Sequence, residues 1–397
     1  MCGSLLTRRL FMQMTASATV FLGGQMFLPR SAFAANVSGK KYKGPNVILI
    51  RYGGGVRRRE TIDPVNSFSP FMLNRLIPNG TLYSNMSIAE LPHNDTDHAQ
   101  GTVNIMTGRY FGYTTHDEKV SGNFLRPSVP SIFEYLRANY ALEAHEALII
   151  NGEDRAQDDG FHMHLHEEYG AETRPELLSP TRFDAYMLQL KLEQDSLSAD
   201  IRSELEKKLS DVRKKSPQFL KPDEYSQEIQ TFWRKWRAYY GDDNLKHPRG
   251  DRQTTEMALW ALRYLRPKLM MVNYQDPDFV HFGVKSHYTR GISIIDQGIQ
   301  TLVTAVEADP FYRENTVFVI VPDCGRDNNP LMDVPFQHHF NSHSSHEIFA
   351  LLYGTGIAKD KTIGRETDQT AIASTIAALM GFRATESEGD ILKEALL

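Results

Sequence analysis

Cysteine is nearly missing from this chain: its 397 residues hold only Cys2 and Cys324. Cys2 falls in a leading segment expected to be removed, which leaves one thiol and excludes a disulfide within the mature chain. Stability must then come from the core rather than from covalent staples. Positive charge is not in excess either. Lys and Arg total 44 against 49 Asp and Glu, a net charge of −5, which gives no general attraction to nucleic acid or anionic lipid. Beyond residue 34 no stretch approaches the roughly 20 apolar residues of a membrane span. Repeats and low-complexity tracts are absent too. What is present is 41% hydrophobic and 23% charged residues, the balance of a globular protein with a sizeable core. The length allows one large domain or two ordinary ones.

Residues 1–34 read as a secretory signal. "TRRLFMQMTASATVFLGGQMFLPRSAFA" pairs Arg8 with Arg9, follows them with Leu10 and Phe11, and ends in small residues at Ala32-Phe33-Ala34. The adjacent arginines make it a twin-arginine signal, so the expected partner is the twin-arginine export machinery and the destination is the periplasm or the outside of the cell. Gln13, Thr15 and Gly23 break the apolar run and argue against a membrane anchor. Its three arginines and lack of acids mean that removal takes the net charge from −5 to −8. Residues 35–397 are expected to form the folded domain.

Strands and helices alternate along that domain. "NVILI" from Asn46, "EALIING", "KLMMVNYQ", "NTVFVIV" and "EIFALLYG" are apolar runs of strand length. Between them lie amphipathic helices, one with Ile132, Leu136 and Tyr140 on a single face and another with Ile295, Ile299, Leu302 and Val306 in register. The pattern predicts an α/β fold, a three-layer α/β/α arrangement around a mostly parallel central sheet. Residues 172–250 change character. They are charged and helical, with Glu204 four residues ahead of Lys208, and are expected to be a helical cap insertion.

In sheets of this kind chemistry sits beyond the carboxyl ends of the strands. Three glycines and three arginines, Gly53 to Gly55 and Arg57 to Arg59, follow the first strand. Asp276, Asp278 and His281 follow "KLMMVNYQ", and Asp323, Cys324 and Asp327 follow "NTVFVIV". His338, His339, His343 and His346 precede the last strand. Carboxylate and imidazole converging from several strand ends make a ligand set suited to zinc or another divalent metal. The glycine-rich turn could form an anion-binding nest in which Arg57 and Arg58 hold a phosphate or sulfate, or be a solvated turn. His162, His164 and His166 alternate in "DGFHMHLHEEYG", as either a surface metal site or a polar loop.

The order of these motifs resembles that of the alkaline phosphatase superfamily, which includes sulfatases, nucleotide pyrophosphatases and cofactor-independent phosphoglycerate mutases. That resemblance implies a hydrolase of small-molecule phosphate or sulfate esters that uses bound metal. "NVILIRYGGG" is similar to the opening strand, but Gly53 stands where a metal-binding Asp is expected. "HAQGTVNIMTGRY" resembles the nucleophile helix, and the position nine residues ahead of Thr107 is His98. "DPDFVHFG" resembles an Asp-His metal pair, Asp278 and His281. "VPDCGRD" resembles an Asp-His-Gly motif with Asp323 kept and Cys324 in the place of His. "HSSHEIFALLYG" resembles the last segment and makes His343 the ligand, with His338 or His339 as alternatives if the loop is shifted.

By this resemblance one metal site is present, at Asp278 (or Asp276), His281 and His343, and the other is depleted. One ion, zinc, is therefore expected rather than two. Without a hydroxyl at position 98 the usual covalent intermediate cannot form. Catalysis could be recovered by His98 attacking phosphorus, by Thr96 or Thr102, or by a softer metal on Asp323, Cys324 and His98. His98 could equally be a ligand or pocket filler, and His93, Asp95 and Asp97 are spare donors nearby. The expected function is an exported metal-dependent hydrolase-like protein with a degenerate or single-metal site. The alternative is a non-catalytic member of the same fold that serves as a binding or structural protein.

Overall fold

The computed structural model describes residues 39–91, 96–110, 113–114, 126–127, 129–152, 169, 171–215, 224–242, 250–282, 284–327, 336–338 and 342–397. The expected signal, the alternating His162, His164 and His166, and His93, Asp95 and His339 lie outside these residues.

Nine strands form one sheet. In chain order they are β1 (Asn46–Tyr52), β2 (Gly80–Ser87), β3 (Ala147–Ile150), β4 (Glu176–Leu178), β5 (Leu269–Asn273), β6 (Thr316–Pro322), β7 (Glu347–Gly354), β8 (Lys361–Ile363) and β9 (Thr367–Asp368). Their spatial order is β8-β2-β7-β6-β1-β5-β3-β4, with β9 also on β2. β1 is central, and all seven of its residues are buried. It pairs in parallel with β5 and β6, while β7 runs antiparallel to β2 and β6. A strand covered on both faces has no solvent side, which explains why its apolar run does not alternate.

Helices cover both faces and make the three-layer α/β/α arrangement. On one face lie α1 (His98–Thr107), α2 (Ile132–Asn139) and, near the carboxyl terminus, Ala371–Met380, which bury Ile105, Phe133, Leu136 and Ile376 against Leu49 and Val319. A capping box between Ser131 and Glu134 starts α2. The other face carries α3 (Pro180–Leu192), α4 (Ala199–Lys215), α5 (Gln227–Tyr240), α6 (Asp251–Tyr264) and α7 (Lys285–Ala308). Ile292, Ile295, Ile299 and Leu302 of α7 pack on Ile48 and Ile50 of β1. No helix among the described residues is long and apolar enough to cross a membrane.

The stretch expected to be a helical cap insertion, residues 172–250, is mostly helical where it is described and packs on the main body. It contributes the edge strand β4, and Phe183, Trp233 and Trp236 join the same core as α6 and α7. Within α4, the stretch with the Glu204–Lys208 pair has an exposed, charged surface. Trp233 is completely buried, so Trp233→Ala should cost about 3–5 kcal/mol in one cooperative unfolding transition monitored by urea denaturation. An early, separate transition for residues 172–250 would argue for a detached cap.

Candidate metal centre

β1, β5 and β6 end side by side, so the residues after them share one edge of the sheet. α1 starts against that edge. Asp97 caps it, its side chain accepting from the Gln100 N–H at 2.6 Å. Gly101 lets the helix rest directly on the chain after β6, since a Cβ there would lie 2.0 Å from the Asp323 carbonyl oxygen. This close approach delivers His98 to Asp323. After β5 the chain makes a 3-10 turn, Asp276–Phe282. Side chains three apart eclipse in such a turn, which stacks His281 over Asp278.

Four side chains meet here. His98 Nε2 lies 2.9 Å and His281 Nε2 2.8 Å from Asp278 Oδ1. His338 Nε2 lies 3.5 Å from the same oxygen and 3.0 Å from His281 Nε2. Donor atoms of all four fall within 4.8 Å of one another. Two of the imidazoles are fixed from behind. His98 Nδ1 faces Asp323 Oδ2 at 2.7 Å and His338 Nδ1 faces the Thr96 carbonyl at 2.7 Å. Carboxylate and carbonyl oxygens only accept, so each Nδ1 carries a hydrogen, and each ring, when neutral, turns its Nε2 lone pair inward. Lone pairs of imidazole nitrogen then converge on a carboxylate oxygen. That is a repulsive arrangement until a proton or a cation sits among them, and an outer partner on each ring is the usual support of a metal-bound histidine. The donor set fits a divalent ion, zinc best.

Electrostatics say the same. Burial would raise the Asp278 carboxyl, but the charge of His98 and the hydrogen bonds from His281 and His338 hold it well below its ordinary range. Burial would lower His98, but Asp278 and Asp323 carry it well above its usual value. The cluster demands positive charge. Access is from one flank, where the His281 and Asp278 side chains are 21% and 15% exposed, while His338 is fully buried.

The neighbouring group of His98, Asp323 and Cys324 is arranged differently. Asp323 is completely buried and already accepts from five donors: Arg51 Nη2 at 2.8 Å, His98 Nδ1 at 2.7 Å, and the N–H groups of Gly54, Gly55 and Cys324 at 3.3, 3.2 and 2.8 Å. Its lone pairs are taken. Burial, with Asp323 alongside, pushes the Cys324 thiol up to about 12, so with no metal on it the thiol stays protonated at neutral pH and is not a nucleophile. We therefore expect Cys324→Ala to leave the metal content unchanged, and native protein to resist a thiol reagent that labels it once unfolded.

Several expected site residues stand elsewhere. His343 does not join Asp278 and His281. Its side chain is 82% exposed and pairs with Glu90 at 2.8 Å, because it lies on a surface turn just before β7, and His338 takes the place expected of it. Asp276 turns away and accepts from the Asp251 N–H at 3.1 Å. The glycine nest exists, with Gly54 and Gly55 at φ +82° and +61°, but its N–H groups hold Asp323 rather than an external anion. Arg57 and Arg58 line a cavity with Arg59, Ser344 and Glu347, and each is also held by protein groups. Arg57 forks onto Glu60 at 2.5 and 2.7 Å and lies over the Phe336 ring. Arg58 donates to the carbonyls of Met86 and Ile348. Thr102 donates back to the His98 carbonyl at 2.6 Å, and Thr96 donates to the His338 carbonyl.

Two guanidiniums were not foreseen. Arg326 donates to Asp278 Oδ1 at 3.0 Å and to the carbonyls of Gly54 and Gly55, locking the turn after β1 to the metal cluster. Arg51 pairs with Asp323, both fully buried. Its signal was a charge inside "NVILIRY": an arginine in a core strand needs a buried partner.

No protein-family model matches the sequence, and no curated protein matches it. Solved structures do share the fold. A quadruple mutant of the alkaline phosphatase PafA superposes with a TM-score of 0.54 at 10% identity, covering 90% of this chain and 100% of that one. A 2-O GAG sulfatase gives 0.51 at 11% identity, covering 88% and 74%. The lipoteichoic acid synthase LtaP from Listeria monocytogenes gives 0.50 at 10% identity, covering 91% and 80%. The chain thus has the alkaline phosphatase-like fold of the phosphatases and sulfatases, with its cluster of three imidazoles and a carboxylate at the carboxyl edge of the sheet.

Proposed function

We propose that this protein is exported through the twin-arginine machinery to the periplasm or beyond, and that it is a single-metal hydrolase of phosphate or sulfate esters. The observation that carries the reading is the convergence of His98, Asp278, His281 and His338 at the carboxyl edge of a phosphatase-like fold. A divalent cation held there supplies the positive charge that polarises an ester oxygen. The chain's own groups prepare that place. Asp323 and the Thr96 carbonyl set the tautomers of His98 and His338, Arg326 steadies Asp278, and the flank at His281 admits ligand. Among the described residues no ready side-chain nucleophile stands at the cluster: both nitrogens of His98 are engaged, the Cys324 thiol is protonated, and the hydroxyls of Thr96 and Thr102 serve the backbone. Hydrolysis would then proceed by direct attack of water, without a covalent enzyme intermediate.

A second reading, a non-catalytic metal-bearing binding protein, is favoured by the number of donors. If all four side chains bind at once, a tetrahedral ion has no open position, the mark of a structural site. Purified mature protein should be assayed for metal and for hydrolysis of aryl phosphates and aryl sulfates, before and after chelation. One metal per chain with chelator-sensitive hydrolysis supports the hydrolase. One metal without hydrolysis supports the binding protein, and protein free of both contradicts the metal centre.

A further inference from the structure

The glycine nest after β1 is taken by Asp323, but the arginines that follow it open onto a different place. Arg57, Arg58, Arg59, Ser344 and Glu347 line a cavity of about 280 Å³. It lies behind the metal edge, where the chain after β6 rests on Ser344: a Cβ at Gly325 would stand 2.4 Å from the Ser344 carbonyl oxygen. Its lining includes none of the four candidate metal ligands. Charge on that lining is unbalanced. Glu60 and Glu347 match Arg57 and Arg58 one for one, while Arg59 is exposed and makes no hydrogen bond or ion pair among the described residues. Arg58 is the fixed point. Its Nε donates to the Ile348 carbonyl at 2.8 Å and its Nη2 to the Met86 carbonyl at 2.6 Å, neutral acceptors that hold the group without cancelling its charge. Its one charged partner, Glu347, meets only Nη1, at 3.2 Å, and is 39% exposed. A solvated pair of this kind is worth about 1 kcal/mol or less, so an incoming anion can displace the carboxylate. Burial pulls the Arg58 guanidinium below its ordinary value, and Glu347 offsets only part of that. The position calls for more negative charge than the chain supplies.

We propose that this cavity is an anion site separate from the metal centre, in which Arg58, Arg59 and the Ser344 hydroxyl take a phosphate or sulfate group. Two guanidiniums and a hydroxyl brought by distant parts of the chain suit the several oxygens of a tetrahedral anion better than the two of a planar carboxylate. Arg57 serves as wall, because its fork is spent on Glu60. The site does not depend on the hydrolase reading. Free phosphate or sulfate, and the same group carried on a larger molecule, offer it the same chemistry.

The test is calorimetric titration with inorganic phosphate, sulfate and acetate, on wild type with and without its metal and on metal-loaded Arg58→Gln and Arg59→Ala. Wild type stripped of metal by chelation, or His281→Ala should chelation unfold it, is expected to bind one phosphate or sulfate in preference to acetate. Affinity should fall about tenfold in Arg58→Gln and about threefold in Arg59→Ala, at unchanged metal content. Monomethyl phosphate and monomethyl sulfate separate the sources: affinity equal to that of the inorganic ion assigns the site to a substituent on a larger molecule, and weaker affinity assigns it to the free ion. Binding that disappears with the metal places the anion at the metal edge and overturns the proposal. So does binding that neither substitution weakens, acetate bound as tightly as phosphate and sulfate, or no binding at all. Should Arg58→Gln fail to fold, Arg59→Ala decides, since its side chain is exposed and its loss leaves the core intact.

Discussion

Replacing His281 by alanine is expected to strip the protein of its metal. His281 is the most exposed of the four candidate ligands, it caps the open flank, and its Nε2 lies within 3.0 Å of both Asp278 Oδ1 and His338 Nε2. Losing even an outer-shell partner of such a site typically costs 10–100-fold in affinity, so a lost ligand should cost more than about 100-fold. Any hydrolysis should vanish with the metal. The fold should survive, because the side chain leaves a partly solvated site rather than a cavity in the core. The check is elemental analysis alongside urea unfolding. A variant that keeps a full equivalent of metal, or unfolds outright, would show that His281 has another role. His343→Ala is the internal control: the residue is exposed on a surface turn, so metal content should not change.

Gly53→Asp should do the opposite of repair. The resemblance of the opening strand suggests placing an acid at position 53 to recover a second ion. The structure forbids it, because a Cβ at Gly53 would stand 1.9 Å from the Tyr274 carbonyl oxygen and 3.3 Å from the Arg51 guanidinium carbon. Backbone cannot yield as a flexible side chain does, and a buried charge would be added as well. Destabilisation of about 3 kcal/mol or more is expected, read as a fall in the urea midpoint with no gain in bound metal. A folded variant carrying two ions would show that the strand end can open.

Much of this was legible in the sequence, for reasons that differ from residue to residue. Central parallel strands are buried on both faces, so β1, β5 and β6 stand out as continuous apolar runs, and Asp278 and His281 were found because they follow one of them. Asp323 was found the same way, but its saturation by Gly54, Gly55 and Arg51 depends on the turn after β1 folding over it, which no spacing reveals. His338 and His343 both precede β7, and only the path of the loop decides which imidazole points inward. The helices of residues 172–250 stand out in the sequence by their charge, which marks their exposed faces, while the buried aromatics Phe183, Trp233 and Trp236 of α3 and α5 seat the segment on the core.

X-ray absorption at the zinc edge of the metal-loaded protein tests the central claim most directly. Ligation by His98, Asp278, His281 and His338 predicts a first shell of nitrogen and oxygen at about 2.0–2.1 Å with imidazole scattering, and one zinc per chain. A sulfur scatterer at about 2.3 Å would place the ion on Cys324, and a second zinc per chain would mean a paired-ion site. Either result would contradict the single centre described above.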